Sequence, residues 1–259
     1  MEDRKKLNRI LKGNNLGGWQ YHERVGSTND LALAWAKENA PDWALVLADE
    51  QTSGRGRAGR KWVTQPGSAL AMSLVLRPSQ AEKMHLARFT AFAALGLIRA
   101  LARFGLRAEL KWPNDVLLGG RKVAGVLVEA DWQGPRLEAL VVGLGVNVLP
   151  GSVPNEDRLR YPAISVQEMY EGLMDRLELL DGILQELKTL RKHLLSQEFM
   201  AAWNEALAFR EEWVWFRSPG GEPHLVRILG VGLEGELLLE RADGEEYSTL
   251  AGEIVMAYN

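Results

Sequence analysis

The sequence predicts an α+β protein that ends in a small β-module, on three observations. Two apolar runs, Val116 to Leu118 and Val123 to Val128, flank Gly119-Gly120, the signal of a two-residue β-hairpin. Ala81 to Phe104 and Ser165 to about Phe209 are long amphipathic or Ala-rich stretches that suit helices. From Glu211 the composition changes to short strand-like runs separated by tight-turn residues. A chain of 259 residues suits one large domain, or one domain with a small module. The division falls between residues 1–209 and 210–259.

In chain order, Tyr21 to Val25 alternates like a short strand and runs into Gly26-Ser27-Thr28-Asn29-Asp30. Ser27, Thr28 and Asn29 can cap a helix over Leu31 to Lys37, whose apolar face includes Leu31, Ala34 and Trp35. The same hydroxyls and helix N-terminus can instead face a ligand. Trp43 to Ala48 is a buried strand leading to Gln51, and Ser68 to Leu76 is another, stopped by Arg77-Pro78. Ala81 to Phe104 reads as one helix, ended by Gly105 at C′. In the hairpin, Leu118 pairs with Arg121, Leu117 with Lys122 and Asp115 with Ala124. Asp115 and Lys122 then share a face with Cβ atoms about 7 Å apart. They form either a structural ion pair or a lysine aimed at ligand oxygens, and spacing alone does not choose. Ala139 to Val148 is a further strand, in which Gly143 and Gly145 mark a close approach to the backbone. After a turn-rich stretch, Pro150 to Pro162, a capping box at Ser165-Val166-Gln167-Glu168 opens a helical region. The last segment, with runs at Trp213–Phe216, Leu225–Val231, Glu236–Glu240 and Glu253–Met256, makes a β-barrel of about fifty residues, small for a free-standing unit.

The most distinctive stretch is Gly54-Arg55-Gly56-Arg57-Ala58-Gly59-Arg60-Lys61-Trp62. Three arginines and a lysine between glycines can fold guanidinium forks and backbone N–H groups around an anion, each charge-assisted bond contributing roughly 1.5–3 kcal/mol. A solvated surface loop also fits a run of like charge. Gly54, Gly56 and Gly59 match G-x-G-x-x-G, but the dinucleotide fingerprint needs a helix opening within it, and Val63-Thr64-Gln65-Pro66-Gly67 starts none. No Walker A sequence occurs.

Composition narrows the classes further. The formal charge of -3, with 46% hydrophobic and 25% charged residues, is that of an ordinary globular protein and argues against general nucleic-acid binding. The absence of cysteine excludes disulfides, thiolate metal sites and a Cys nucleophile. His22, His85, His193 and His224 have no metal-ligand spacing, so no metal site is expected. The charged start lacks the apolar core of a signal peptide, and the apolar window Ala91 to Leu101 is interrupted by Arg99 and too short to span a bilayer. The expectation is a cytoplasmic protein without a membrane partner.

Taken in order, Ser27-Thr28-Asn29, the arginine loop, Lys111-Trp112-Pro113-Asn114-Asp115, Arg121 to Glu129 and Gly143-Leu144-Gly145-Val146-Asn147 resemble the biotin–protein ligases. Gly232 to Glu240 resembles that family's C-terminal domain, so the likeness covers about residues 20–255. The resemblance implies a class II synthetase-like fold, with a mixed or antiparallel central sheet flanked by helices and an SH3-like C-terminal barrel. It implies that biotin and MgATP give biotinyl-5′-AMP, and that the biotinyl group then passes to a lysine of a carboxylase's biotin carboxyl carrier domain. ATP, with its Mg2+, and biotin are then substrates, and no protein-bound prosthetic group is expected.

By the same likeness Ser27, Thr28, Asn29, Gln51, Arg55, Gly56, Arg57, Lys122 and Gly125 surround biotin, whose uncharged ring needs donors and acceptors without net charge. Arg57, Arg60, Trp62, Asn114, Asp115, Lys122 and Asn147 fall to the ATP and adenylate, with Lys122 and Arg57 the catalytic pair and Trp62 a cover for adenine. Ala58 stands where some relatives carry another arginine. Lipoate ligases share the fold, but their Arg-Arg…Gly-Gly-Gly and His-Asp signature is missing here. About two dozen residues before Ser27 leave no room for a helix-turn-helix reader, so no DNA partner is expected. Whether the chain pairs as a homodimer stays open.

Overall fold

Alternation along the central strands decides the layers of the molecule. The computed structural model describes residues 2–63, 65–153 and 161–255. Among them β1 (Gly18–Val25), β2 (Ala44–Gln51), β3 (Ala69–Leu76), β4 (Ala108–Lys111), β5 (Asp115–Leu118), β6 (Arg121–Gln133) and β7 (Arg136–Asn147) form one sheet in the order β1-β2-β3-β7-β6-β5-β4. β1 and β2 are parallel, and the other neighbours are antiparallel, so the sheet is mixed. Successive side chains point to opposite faces. Ala44, Val46, Val75, Ala139 and Val141 pack under α2 (Thr28–Lys37), which connects β1 to β2. Their neighbours Leu45, Leu47, Leu74, Leu76, Leu140 and Val142 belong to the main core, with α4 (Arg88–Ala102) and α5 (Arg176–Arg191). The middle of the sheet is therefore covered on both faces, and β3 there is a near-continuous apolar run.

Several boundaries differ from the sequence expectation. Ala81–Phe104 is two helices, α3 (Gln80–Lys83) and α4. Ser79 and Glu82 form their own capping box, and the break after α3 lets Arg88, buried at the start of α4, donate to the carbonyls of Leu194 and Leu233 at 3.1 Å each. Gly105 ends α4 as expected, with φ +74° and Leu106 N–H bonded to the Leu101 carbonyl. The Ser165–Glu168 capping box is present, yet it opens a single 3₁₀ turn, and α5 starts at its own N-cap, Asp175. α6 (Gln197–Glu205) follows. The sequence reading did not identify α1 (Glu2–Gly13), although Leu7, Ile10 and Leu11 have helical spacing. Leu7 and Leu11 are buried, and Asn14, just beyond the helix, donates to Asp181 of α5 at 2.6 Å.

The C-terminal segment is a five-stranded antiparallel sheet of SH3-like type, built from β8 (Trp213–Arg217), β9 (His224–Val231), β10 (Leu237–Arg241), β11 (Glu246–Thr249) and β12 (Glu253–Val255) in the order β11-β10-β9-β8-β12. The polar strand β11 carried no apolar signal, and Met256 of the expected last run lies outside the described residues. Val214, Phe216, Ile228 and Leu239 join the same core as the central sheet. The Trp112 indole N–H bonds to the Gly235 carbonyl at 3.1 Å.

Docking of α1 predicts a stability effect. Leu11 has no exposed surface, so Leu11→Ala should cost about 2–5 kcal/mol in urea unfolding. A loss below about 1 kcal/mol, the level of a surface substitution, would mean that α1 does not dock as described.

Candidate functional site

The site forms on the α2 face of the sheet, and a bulge in the β5–β6 hairpin gives it its shape. Gly119 and Gly120 have φ of +56° and +72°, as a two-residue turn with both central residues left-handed requires. Leu118 faces Arg121 and Leu117 faces Lys122, as the sequence suggests. The register then shifts, so that Asp115 pairs with Gly125 and not with Ala124. In an unbroken strand Lys122 and Gly125, three residues apart, would project from opposite faces. The extra residue brings them to one face. Lys122 Nζ then lies 2.6 Å from Asp115 Oδ1 and 3.5 Å from where a Gly125 Cβ would stand.

Beside the hairpin, β7 presents bare backbone. A Cβ on Gly143 would sit 2.1 Å from Asn29 Oδ1, and one on Gly145 would sit 2.5 Å from the Trp62 ring. Asn29 comes from the start of α2 and Trp62 from the end of the arginine loop, and both press close against these glycines. The loop is tied at its base by Ser53 N–H to the Gly26 carbonyl and Trp62 N–H to the Gly54 carbonyl, each 2.8 Å. One 3₁₀ turn occupies Arg57–Gly59, with Ala58 left-handed at φ +54°, and no α-helix opens within the loop.

At one end the cleft is polar without net charge. Thr28 donates from its backbone N–H and its hydroxyl to Gln51 Oε1, at 2.8 and 3.0 Å. The buried Ser73 hydroxyl lies 2.8 Å from Thr28 Oγ1 and 2.6 Å from Asn29 Oδ1. Ser27 occupies the N-cap position of α2, but its side chain makes no capping bond, contrary to the cap expected from sequence. Its backbone is extended there, and Ser27 is part of the cleft wall.

The other end is cationic. Arg57 forms no ion pair among the described residues; burial pushes its guanidinium below the usual range, and the charge of Arg60 adds to this. Arg60 pairs with Glu253 of β12 at 2.9 Å. Lys122 lies 5.7 Å from the centroid of the Trp62 ring, whose buried N–H has no partner among the described residues. Asn114 is fixed to β6 by Nδ2–H to the Val126 carbonyl at 2.8 Å.

Every residue assigned to ligand in the sequence reading lines this cleft except Asn147. Asn147 ends β7, where its amide donates to the Ile164 carbonyl at 3.3 Å. Arg55 lines the cleft, but its guanidinium is bound to Glu129 and Asp30. Sequence reasoning did not assign Ser73, Glu129, Lys111 or Glu253. Ser73 is the lone polar residue of β3, a signal that was available. Lys111 is buried opposite Asp115, and its ammonium, pushed down chiefly by that burial, lies 4.9 Å from the centre of the Tyr161 ring. The Arg60 contact with Glu253 joins residues too far apart in sequence to be read together. Among the described residues no group of three or more His, Asp or Glu side chains could hold a metal ion. Among the described residues no helix is long and apolar enough to cross a membrane.

Comparison with known proteins follows the same geography. The model of the biotin/lipoate A/B protein ligase family matches residues 21–147, from β1 to the end of β7. A biotin–[acetyl-CoA-carboxylase] ligase of Paracoccus denitrificans is 36% identical over 232 residues, covering 86% of this chain and 94% of that protein. The bifunctional ligase/repressor BirA of Bacillus subtilis is 35% identical over 167 residues, 63% of this chain; the match spans only half of that relative's length, 50%. Among solved structures, biotin protein ligase from Aquifex aeolicus in complex with biotin and ATP superposes with a TM-score of 0.77 at 29% identity, covering 91% of this chain and 97% of the other.

Gly143→Ala tests the close approach directly. Its Cβ would overlap the Asn29 amide, and the forced displacement should cost about 1–3 kcal/mol in thermal or urea unfolding. Unchanged stability would mean that Asn29 does not lie on β7.

Proposed function

The chain belongs to the biotin/lipoate A/B protein ligase family, and on that premise we propose that it activates biotin with ATP to biotinyl-5′-AMP and then biotinylates a carrier-domain lysine. The observation that carries this reading is the polarity of the cleft. Thr28, Asn29 and Gln51, backed by the buried Ser73, offer an uncharged hydrogen-bonding end, and Arg57, Arg60 and Lys122 offer positive charge at the other. A ureido ring has donors and acceptors but no net charge, which suits the first end. The second end suits a carboxylate brought against a phosphate.

In the first step a carboxylate oxygen of biotin forms a bond to the α-phosphorus, and the bond to pyrophosphate breaks. Two anions must approach, so Lys122, adjacent to Asp115 and Gly125, neutralises the carboxylate and the developing acyl phosphate. Arg57, an arginine of the loop with no ion pair among the described residues, serves the phosphates. Mg2+ arrives with the nucleotide. Trp62, on Gly145, covers the adenine, and the loop that carries it shields the mixed anhydride from water. In the second step the acceptor amine attacks the acyl carbon and AMP leaves. The acceptor is the carrier domain of a biotin-dependent carboxylase, and the reaction is cytoplasmic. DNA has no part in this reading, and a specific gel shift at low salt would count against it.

Mass spectrometry after incubation with MgATP and either biotin or lipoate tests the proposal. Biotinyl-AMP from biotin alone supports it, whereas lipoyl-AMP would transfer the chain to the other half of its family. Lys122→Ala should lower adenylate formation about 10²–10³-fold, as loss of a transition-state donor does, while leaving the fold intact by circular dichroism. Adenylation at the parent rate would remove Lys122 from the chemistry. Arg57→Gly should release free adenylate into solution; retention as tight as in the parent would overturn the shielding role of the loop.

A further inference from the structure

We propose that Glu129 is a positioning residue that pins the first half of the arginine loop to the sheet and fixes the orientation of the Asn29 amide. The inference rests on the ligase reading, which it deepens at the biotin end of the cleft. Glu129 projects from β6 toward α2, and three donors converge on its carboxylate. Oε1 accepts from Arg55 Nη1 at 2.7 Å, and Oε2 accepts from Arg55 Nη2 at 2.7 Å and Asn29 Nδ2 at 2.8 Å. The two oxygens take the planar guanidinium fork side by side, which fixes its plane as well as its position. Asp30 Oδ1 adds a third bond to Arg55 at 2.6 Å from the solvent side. These contacts, the hydrogen bond to Glu129 foremost, hold the Arg55 guanidinium above its usual pKa.

The chemistry of a carboxylate makes the arrangement directional. Ionised, it only accepts, so it fixes the Asn29 NH₂ toward β6 and the Asn29 carbonyl oxygen toward Ser73. Asn29 Nδ2 also reaches the Leu127 carbonyl at 3.3 Å. Both amide protons are thereby used within the protein, and the remaining capacity of Asn29 is as an acceptor. Three bonds to Glu129 and Asp30 engage both Nη groups of Arg55. Around the ring, as the sequence reading places them, the two side chains build the wall against which it sits. The loop has two halves of different character. Arg55 is held by the sheet, whereas Arg57 has no ion pair among the described residues and Arg60 is held by the C-terminal sheet.

Glu129→Gln is the discriminating substitution. Its amide is isosteric but can donate as well as accept, so it loses one acceptor for the fork and permits either Asn29 orientation. Calorimetric titration with biotin, without nucleotide, should show Kd raised about tenfold or more, while Kd for ATP changes less than about twofold. Asp30→Asn removes only the outer contact and should change biotin affinity less than about threefold. Parent-like biotin affinity in Glu129→Gln, or equal losses for biotin and ATP, would overturn the proposal. Arg55→Met provides a second arm by breaking the pin while leaving Glu129 on Asn29. Amide exchange at residues 53–56 should then rise about tenfold or more with α2 unchanged, and unchanged exchange there would overturn the pin. An unaltered protein that binds no biotin would instead overturn the ligase reading, and the exchange experiment would still decide the pin.

Discussion

One extra residue in β6 sets the geometry of the cleft. Strand side chains alternate strictly, so Lys122 could not otherwise share a face with Gly125 and Glu129. The register shift opposite Val116 and Leu117 corrects the parity while Val123 and Ala124 stay buried in the core. Lys122 therefore gains its position without a flexible loop. It is carried on a paired strand between Asp115 and the Trp62 ring, and its location is as fixed as the hairpin itself. A lysine on a loop would pay ordering entropy when it met an anion, and this one has largely paid it on folding.

The second constraint is charge balance. Apart from Arg57, the arginines of the loop and Lys122 rest on carboxylates: Arg55 on Glu129 and Asp30, Arg60 on Glu253, Lys122 on Asp115. Partly buried like charges would repel one another without such partners. An anionic ligand at the cationic end therefore exchanges one carboxylate for another and does not meet a naked positive field. Favourable binding then depends on geometry, since each ion pair formed replaces one given up. Arg57 is the exception, and its depressed pKa reflects burial beside Arg60 with only Asp115 opposing. Its charge stays least compensated until an anion arrives.

Local signals explain what was legible in the sequence. The Gly119-Gly120 turn, Gly105, the buried strands and the capping box at Ser165 all depend on residues within a few positions of one another, and each is present. The clustered site residues were readable because the resemblance lies in contiguous motifs. What escaped is non-local or parity-dependent. The bulge could not be seen because Val123-Ala124 fits either register until Lys122 and Gly125 are required on one face. Ser165 capped a helical turn as its sequence says, but nothing local shows that the helix stops after one turn. α1 was passed over because its apolar positions gain their meaning from a core that includes α5, more than 150 residues away. Asn147 was carried into the ligand set by a motif whose last residue turns to Ile164 and leaves the cleft wall.

The C-terminal sheet is part of this design and not an appendage to it. A five-stranded sheet of this size buries little apolar surface by itself, and here it completes its core with residues of the central domain. Phe216 packs beside Trp112, whose indole N–H is bonded to Gly235. Trp112 belongs to the same short segment as Asn114 and Asp115, so the segment that sets Asp115 against Lys122 is braced from behind by the small sheet. From the other side Glu253 of β12 reaches the arginine loop and holds Arg60 at 2.9 Å. The small sheet thus touches both the turn behind Asp115 and the arginine loop. Displacing it would loosen the phosphate side of the cleft, where Trp112 and Arg60 both rest on it.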